Sequence, residues 1–233
     1  MIPISDENPS RLTPFVTWGI IAACIVAFFW QLSFSEQAED SLLLTFAFVP
    51  RNLFGDVASV SLYGIPWPWY TLITSMFLHG GFLHLGGNML YLWIFGNNVE
   101  DAMGHARFAA FYFICGIAAA LSEGIMNPHS SLPMLGASGA ISGVLAGYVL
   151  IYPRARITVI IPLGILLYPT KISAFYVVGF WFVLQLLNVV GTTPGGPGTA
   201  WWAHVGGFIA GLVLTPMLSS FPLFGRYSRG PWA

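Results

Sequence analysis

Six long apolar runs, near residues 13–34, 82–100, 107–125, 138–153, 171–190 and 202–219, constrain this chain more than any other feature. At 1.5 Å of rise per residue, runs of this length cross or nearly cross a hydrocarbon layer roughly 30 Å thick. Inside such a layer each run must satisfy its own backbone N–H and C=O groups, which makes it a helix. The composition agrees, since 56% of residues are hydrophobic and only 7% are charged, against about 25% charged in soluble domains. The runs leave little of the 233 residues for anything else. The expected fold is therefore an all-α membrane protein, a bundle of six transmembrane helices forming a single membrane-embedded domain over residues 1–233. A further apolar stretch from Ile157 to Tyr168 is interrupted by Pro162 and Gly164 and closed by Pro169. It would reach only about 18 Å as helix, so it is expected to be an interfacial hairpin.

Six crossings place both termini on one side. With the N-terminus inside, Arg11, Arg107, Arg154, Arg156, Lys171, Arg226 and Arg229 all fall on the cytoplasmic face and Arg51 alone falls outside, as the positive-inside rule requires. The segment 35–81 then lies outside; with Phe46, Phe48, Trp67 and Trp69 it is expected to be a long first loop resting in the interface. There is no long targeting extension, so a plasma (inner) membrane, multi-pass with both termini cytoplasmic, is the expected location. The formal charge of -1 leaves no basic footprint for nucleic acid. Cys24 and Cys115 lie inside apolar runs, the five histidines lack a metal-gathering spacing, and no nucleotide-binding loop is present. Neither a metal nor a cofactor is implied.

Polar residues inside spans are costly and usually functional. With the orientation above, the second, fourth and sixth runs all enter from outside, and near their starts stand His84 and Asn88, Ser138, and His204. The fourth run carries Gly139, Gly143 and Gly147; the sixth carries Ala203, Gly207 and Gly211. Both are small residues at spacing four, which permits close backbone approach. If the stripes face each other on parallel helices, Ser138 precedes its stripe by one residue and His204 follows its own by one, and both rotate to the same side. His84 and Asn88, at i and i+4, share one face and can close a third wall.

A serine beside a histidine is the minimum for nucleophilic acyl transfer. No carboxylate stands at matching depth to complete a triad, so a dyad of Ser138 and His204 is expected, with the histidine held by packing. The Ser138 N–H, Asn88 and His84 are the candidate oxyanion donors.

Gly136-Ala137-Ser138-Gly139, His84-Leu85-Gly86-Gly87-Asn88 and Ala203-His204-Val205-Gly206-Gly207 with Gly211 resemble, in order, the three motifs of rhomboid intramembrane serine proteases, and Glu100 with Gly104 also fits. The resemblance covers residues from about 14 to 220. It implies a serine endopeptidase that cleaves transmembrane segments of single-pass membrane proteins near the extracytoplasmic face. In it Ser138 is the nucleophile, His204 the general base, and His84, Asn88 and the Ser138 amide hold the oxyanion. It also implies a water-filled cavity open to the outer face, and lateral substrate approach near the second and fifth helices, the fifth carrying Phe175, Tyr176, Phe180, Trp181 and Phe182. Two departures stand out. Ser142 occupies the position where well-studied bacterial members carry a tyrosine beneath the histidine ring, and a Trp-Arg pair common in the first outer loop is missing. The alternatives are a non-catalytic rhomboid-like binder or chaperone of membrane helices, and a channel or transporter. Channels need charge along a through-path and many transporters have internal symmetry; neither is evident here.

Overall fold

The computed structural model describes residues 1–54, 68–164, 166–191, 199–221 and 223. In chain order, α1 (Phe15–Gln31) is followed by the shorter α2 (Glu36–Phe46), α3 (Pro50–Phe54) and α4 (Thr71–Thr74), then α5 (Phe82–Met103), α6 (His105–Met126), α7 (Ser138–Ile151), α8 (Ala174–Gly191) and α9 (Trp201–Leu218). By length and composition, α6, α8 and α9 are long and apolar enough to cross a membrane, while α1 and α7 are shorter apolar helices. The apolar character of α5 is diluted by His84, Asn88, Asn97, Asn98, Glu100 and Asp101. Gly104, at φ 79°, separates α5 from α6 with a left-handed residue that a side chain would disfavour.

Close approaches at glycine fix how the helices run. A Cβ at Gly207 would fall 2.0 Å from the Gly139 carbonyl oxygen, and one at Gly211 would fall 2.4 Å from that of Gly143. Rising numbers meet rising numbers, so α7 and α9 are parallel and their small-residue stripes do face each other. A Cβ at Gly139 would strike Ala119 and one at Gly143 would strike Cys115, so α6 runs antiparallel to α7. His84 lies against Gly136, and Val99 against Gly147, which makes α5 parallel to α7. The starts of α5, α7 and α9 therefore share one end of the molecule. The core around them includes Phe95, Phe108, Phe111, Tyr112, Leu145 and Tyr148, all fully buried.

The all-α expectation needs correction. A three-stranded antiparallel sheet lies at the other end, in the order β1 (Ile2–Asp6), β2 (Arg156–Leu163), β3 (Leu166–Ser173). The β-branched run Ile157-Thr158-Val159-Ile160-Ile161 favours strand. The hairpin pairs Arg156 with Ser173 and Leu163 with Leu166, with Gly164 at φ 65° in its turn. Its outer edge is covered by the N-terminal strand, which pairs Ile2 with Ile160 and Asp6 with Ile157. Hence Lys171 to Ser173, placed within the fifth apolar run, are strand, and the helix starts at Ala174.

Two devices fasten this end to the bundle. Asp6 Oδ2 accepts bonds from Tyr148 Oη at 2.6 Å and Asn98 Nδ2 at 2.9 Å, tying β1 to the ends of α7 and α5. Burial pushes the Asp6 carboxyl up to about 6, against the lowering effect of the Tyr148 bond. Glu100, fully buried, accepts from the Val16 and Thr17 amides and the Thr17 hydroxyl at 2.7–3.0 Å and meets His105 Nδ1 at 2.5 Å. A carboxylate there caps the start of α1. Arg11, Arg107, Arg154, Arg156 and Lys171 belong to this end; Arg226 and Arg229 lie outside the described residues.

At the opposite end, the segment expected to be a long first loop contains α2, α3, α4 and two 3-10 turns, Pro68–Tyr70 and Ser75–Phe77; Trp67 lies outside the described residues. Without a Trp-Arg pair, its anchors are largely backbone. Phe48 and Met134 exchange N–H···O bonds of 3.0 and 2.7 Å, and the Arg51 amide donates to Ser130 at 3.0 Å. Gln31 brackets the backbone of His79, accepting from its N–H at 3.0 Å and donating to its carbonyl at 3.3 Å. His79 is 1% exposed.

Candidate active site

Ser138 is the first residue of α7. The first-turn amides of a helix have no intrahelical partner, so the Ser138 N–H is free of the α7 ladder and sits at the positive end of its dipole. Gly136 makes the approach possible. Its φ of 117° suits glycine, its N–H donates to the Ser75 carbonyl at 2.9 Å, and a Cβ there would fall 2.7 Å from His84 Nε2. The same point is 3.7 Å from Asn88 Nδ2. His84 and Asn88 thus flank the turn that delivers Ser138, one helical turn apart on α5.

Their hydrogen bonds orient them. The Gly80 N–H donates to His84 Nδ1 at 3.3 Å, so Nδ1 accepts and Nε2 carries the proton of the neutral ring, on the side of Gly136. Asn88 Nδ2 donates one hydrogen to the His84 carbonyl at 3.1 Å and keeps a second. All three sequence-derived oxyanion candidates therefore carry an N–H donor around one turn.

His204 stands in the first turn of α9, whose start is held by α6. Glu123 Oε2 accepts from the Ala203 N–H at 3.2 Å, and its other oxygen accepts from Asn127 Nδ2 at 2.6 Å. His204 Nε2 lies 2.8 Å from Ser138 Oγ. The ring is packed by Trp181 of α8, with centroids 5.8 Å apart, and edge-on by Trp201 at 5.9 Å. Its second nitrogen, Nδ1, is 2.8 Å from Gln185 Oε1 of α8.

That last contact was missed in the sequence, where His204 was expected to be held by packing alone. The available signal was a glutamine inside an apolar run, at the spacing of the buried residues Ala174, Val177 and Val178. Ser142 has another task. It is fully buried, donates to the Gly139 carbonyl at 2.6 Å, and its Oγ would lie 2.5 Å from a Cβ on Gly207. The groups that support the ring here are Trp181, Trp201 and Gln185.

Ser138, His204 and His84 line a cavity of about 1010 Å³, together with Glu123, Ser130 and Leu83. Asn88 is buried, its Nδ2 3.7 Å from where a Gly136 Cβ would stand. His105 pairs with Glu100 at the far end of the molecule, and His129 is exposed on the loop after α6. Among the described residues, no group of three or more His, Cys, Asp or Glu side chains could hold a metal ion.

A serine hydroxyl thus lies 2.8 Å from a histidine nitrogen on the wall of a cavity among apolar helices. Comparison with known proteins gives the family: a Rhomboid domain matches residues 66–221, and the chain belongs to the rhomboid family. It is 33% identical over 156 residues to RHOMBOID-like protein 5 of Arabidopsis thaliana, covering 67% of this chain and 46% of that protein. It is 28% identical to Rhomboid protease GluP of Bacillus subtilis, over 69% of this chain and 28% of that protein. It is also 28% identical to Inactive rhomboid protein 1 of Drosophila melanogaster, over 69% of this chain and 10% of that protein. The chain spans less than half the length of each of these relatives.

Proposed function

We propose that this protein is an intramembrane serine endopeptidase that cleaves transmembrane segments of single-pass membrane proteins near the extracytoplasmic face of a plasma membrane. The observation that carries this reading is the 2.8 Å contact between His204 Nε2 and Ser138 Oγ on the wall of a cavity. His204 Nε2 takes the hydroxyl proton as Ser138 Oγ bonds to the scissile carbonyl carbon. The oxyanion that forms accepts hydrogen bonds from the Ser138 N–H, His84 Nε2–H and Asn88 Nδ2–H, each worth about 3 kcal/mol when pre-aimed. As the C–N bond breaks, His204 passes its proton to the leaving nitrogen, leaving an ester on Ser138. A water from the cavity, deprotonated by His204, attacks that ester, and the proton returns to Ser138 as the new carboxyl terminus departs.

Six crossings, from α1 and α5 to α9, with both termini cytoplasmic fit the cations: the sheet end carries Arg11, Arg107, Arg154, Arg156 and Lys171, while Arg51 lies near the cavity. The site then faces outward. A helix-binding role without catalysis is the second reading, favoured by the likeness to an inactive rhomboid protein; the presence of both reacting side chains in bonding contact counts against it. The test is cleavage of a tagged single-pass membrane protein by purified protein in liposomes, read by product mass. Wild type is expected to cut near the outer end of the substrate helix, with Ser138→Ala and His204→Ala inactive. Equal cleavage by Ser138→Ala would end the protease reading, and a folded wild type that neither cuts nor takes a fluorophosphonate on Ser138 would favour the binder.

A further inference from the structure

Gln185 is 5% exposed and belongs to α8, whose other buried positions are Ala174, Val177 and Val178. An amide in such a row is costly unless both of its ends are bonded. Its Nε2 lies 2.9 Å from the Trp181 carbonyl oxygen and its Oε1 lies 2.8 Å from His204 Nδ1.

These contacts leave one consistent assignment of hydrogens. The Trp181 carbonyl only accepts, so the NH2 end of the amide must face it. The oxygen end then faces His204 and also only accepts, so Nδ1 must carry the hydrogen. A neutral imidazole protonated on Nδ1 has its lone pair on Nε2, and Nε2 is the atom 2.8 Å from Ser138 Oγ. Ser138 therefore donates to His204. Flipping the amide would set two carbonyl oxygens against each other and turn the histidine to the tautomer unable to take the serine proton.

We infer that Gln185 is the positioning residue of the Ser138–His204 pair, selecting the Nδ1–H tautomer and holding the ring in plane with the serine. The inference rests on the protease reading above. Gln185 is itself held at this height, since Phe182 stacks on Phe208 of α9 with centroids 4.1 Å apart and Trp181 tilts against both Phe208 and His204. Because the amide accepts from Nδ1–H before and after Nε2 is protonated, it steadies the imidazolium through a dipole and without a charge. The other groups facing His204 are Ser138 from α7, His84 across the cavity from α5, and Glu123 from α6 through the Ala203 amide.

The test compares wild type, Ser138→Ala, Gln185→Leu and Gln185→Glu for kcat and KM on a membrane-embedded substrate, the pH profile of fluorophosphonate labelling, and Tm. Gln185→Leu fills the same space without an acceptor; kcat is expected to fall roughly 10- to 100-fold with KM nearly unchanged, as for a misoriented base. Gln185→Glu restores the acceptor, so most of the rate returns, and the acid limb of the labelling profile moves to higher pH because a carboxylate favours imidazolium. Wild-type kcat and an unshifted profile in both variants would overturn the role. So would loss of Tm in both variants with no recovery of rate in Gln185→Glu, which marks a packing residue. Should Gln185→Leu fail to fold, the profile of Gln185→Glu decides, an unshifted one overturning the role. Wild type cutting no more than Ser138→Ala would refute the protease reading itself, whereas unaffected Gln185 variants beside an active wild type refute only the positioning role.

Discussion

Replacing Gly207 by alanine perturbs the contact on which the site depends. The new Cβ would lie 2.0 Å from the Gly139 carbonyl oxygen and 2.5 Å from Ser142 Oγ, whereas ordinary contact begins at 3.4 Å. The first neighbour is backbone, and the second is pinned by its bond to that same carbonyl, so neither can swing aside. α7 and α9 must part by roughly 1.4 Å at this level, an overpacking that costs about 3 kcal/mol, the upper end of the usual range. Tm should fall by on the order of 10 °C. Three residues from Gly207 along α9, His204 moves with it, and its 2.8 Å bond to Ser138 is stretched beyond hydrogen-bonding range. A displacement of this size costs roughly 100-fold in rate. The assay pairs thermal unfolding in detergent with the rate of fluorophosphonate labelling at Ser138. Gly179→Ala and Gly19→Ala, which meet nothing within 4 Å, serve as controls and should match wild type. Wild-type Tm and labelling in Gly207→Ala would refute the claim that close backbone approach sets the serine–histidine distance.

Gly136→Ala should fold but lose roughly 100-fold in kcat with little change in KM, because it forces a φ of 117° on a side chain and drives His84 away from the turn; unchanged kcat would remove His84 from the oxyanion site. Asp6 predicts a pH dependence of stability at the sheet end. Its carboxyl is raised from 3.8 to about 6 by burial, so the folded state holds the proton more tightly, and the contribution is full below about 3.8 and lost as pH rises through about 6. Tm measured between pH 4 and 7 should decline across that window in wild type and stay flatter in Asp6→Asn, with parallel curves counting against the buried carboxyl.

Much of the site was legible because its signals are local. Ser138 and His204 each sit one residue from a small-residue stripe, and the helical period turns that offset into a direction; once the stripes face each other, the two side chains have little choice of where to point. His84 and Asn88 share a helix face for the same reason. The long apolar runs required helices because a backbone away from water must bond to itself. Contacts made between distant segments left no comparable trace. Strand β1 forms only because the hairpin at 156–173 offers it an edge, and the backbone of His79 is held by Gln31, 48 residues earlier. Gln185 and His204 are 19 residues apart on antiparallel helices. Nothing local to either tells that the amide oxygen will meet Nδ1, because the meeting depends on how Phe182 and Phe208 set the height of α8 against α9. Ser142 carries the same lesson: read against the tyrosine of other members it is a loss, while in the folded bundle its hydroxyl is buried and bonded to the Gly139 carbonyl at the seam between α7 and α9. Period and residue type thus place a side chain on a face of its own helix. Which face meets which, at what height and with which hydrogen on which nitrogen, follows from packing among elements far apart in the chain.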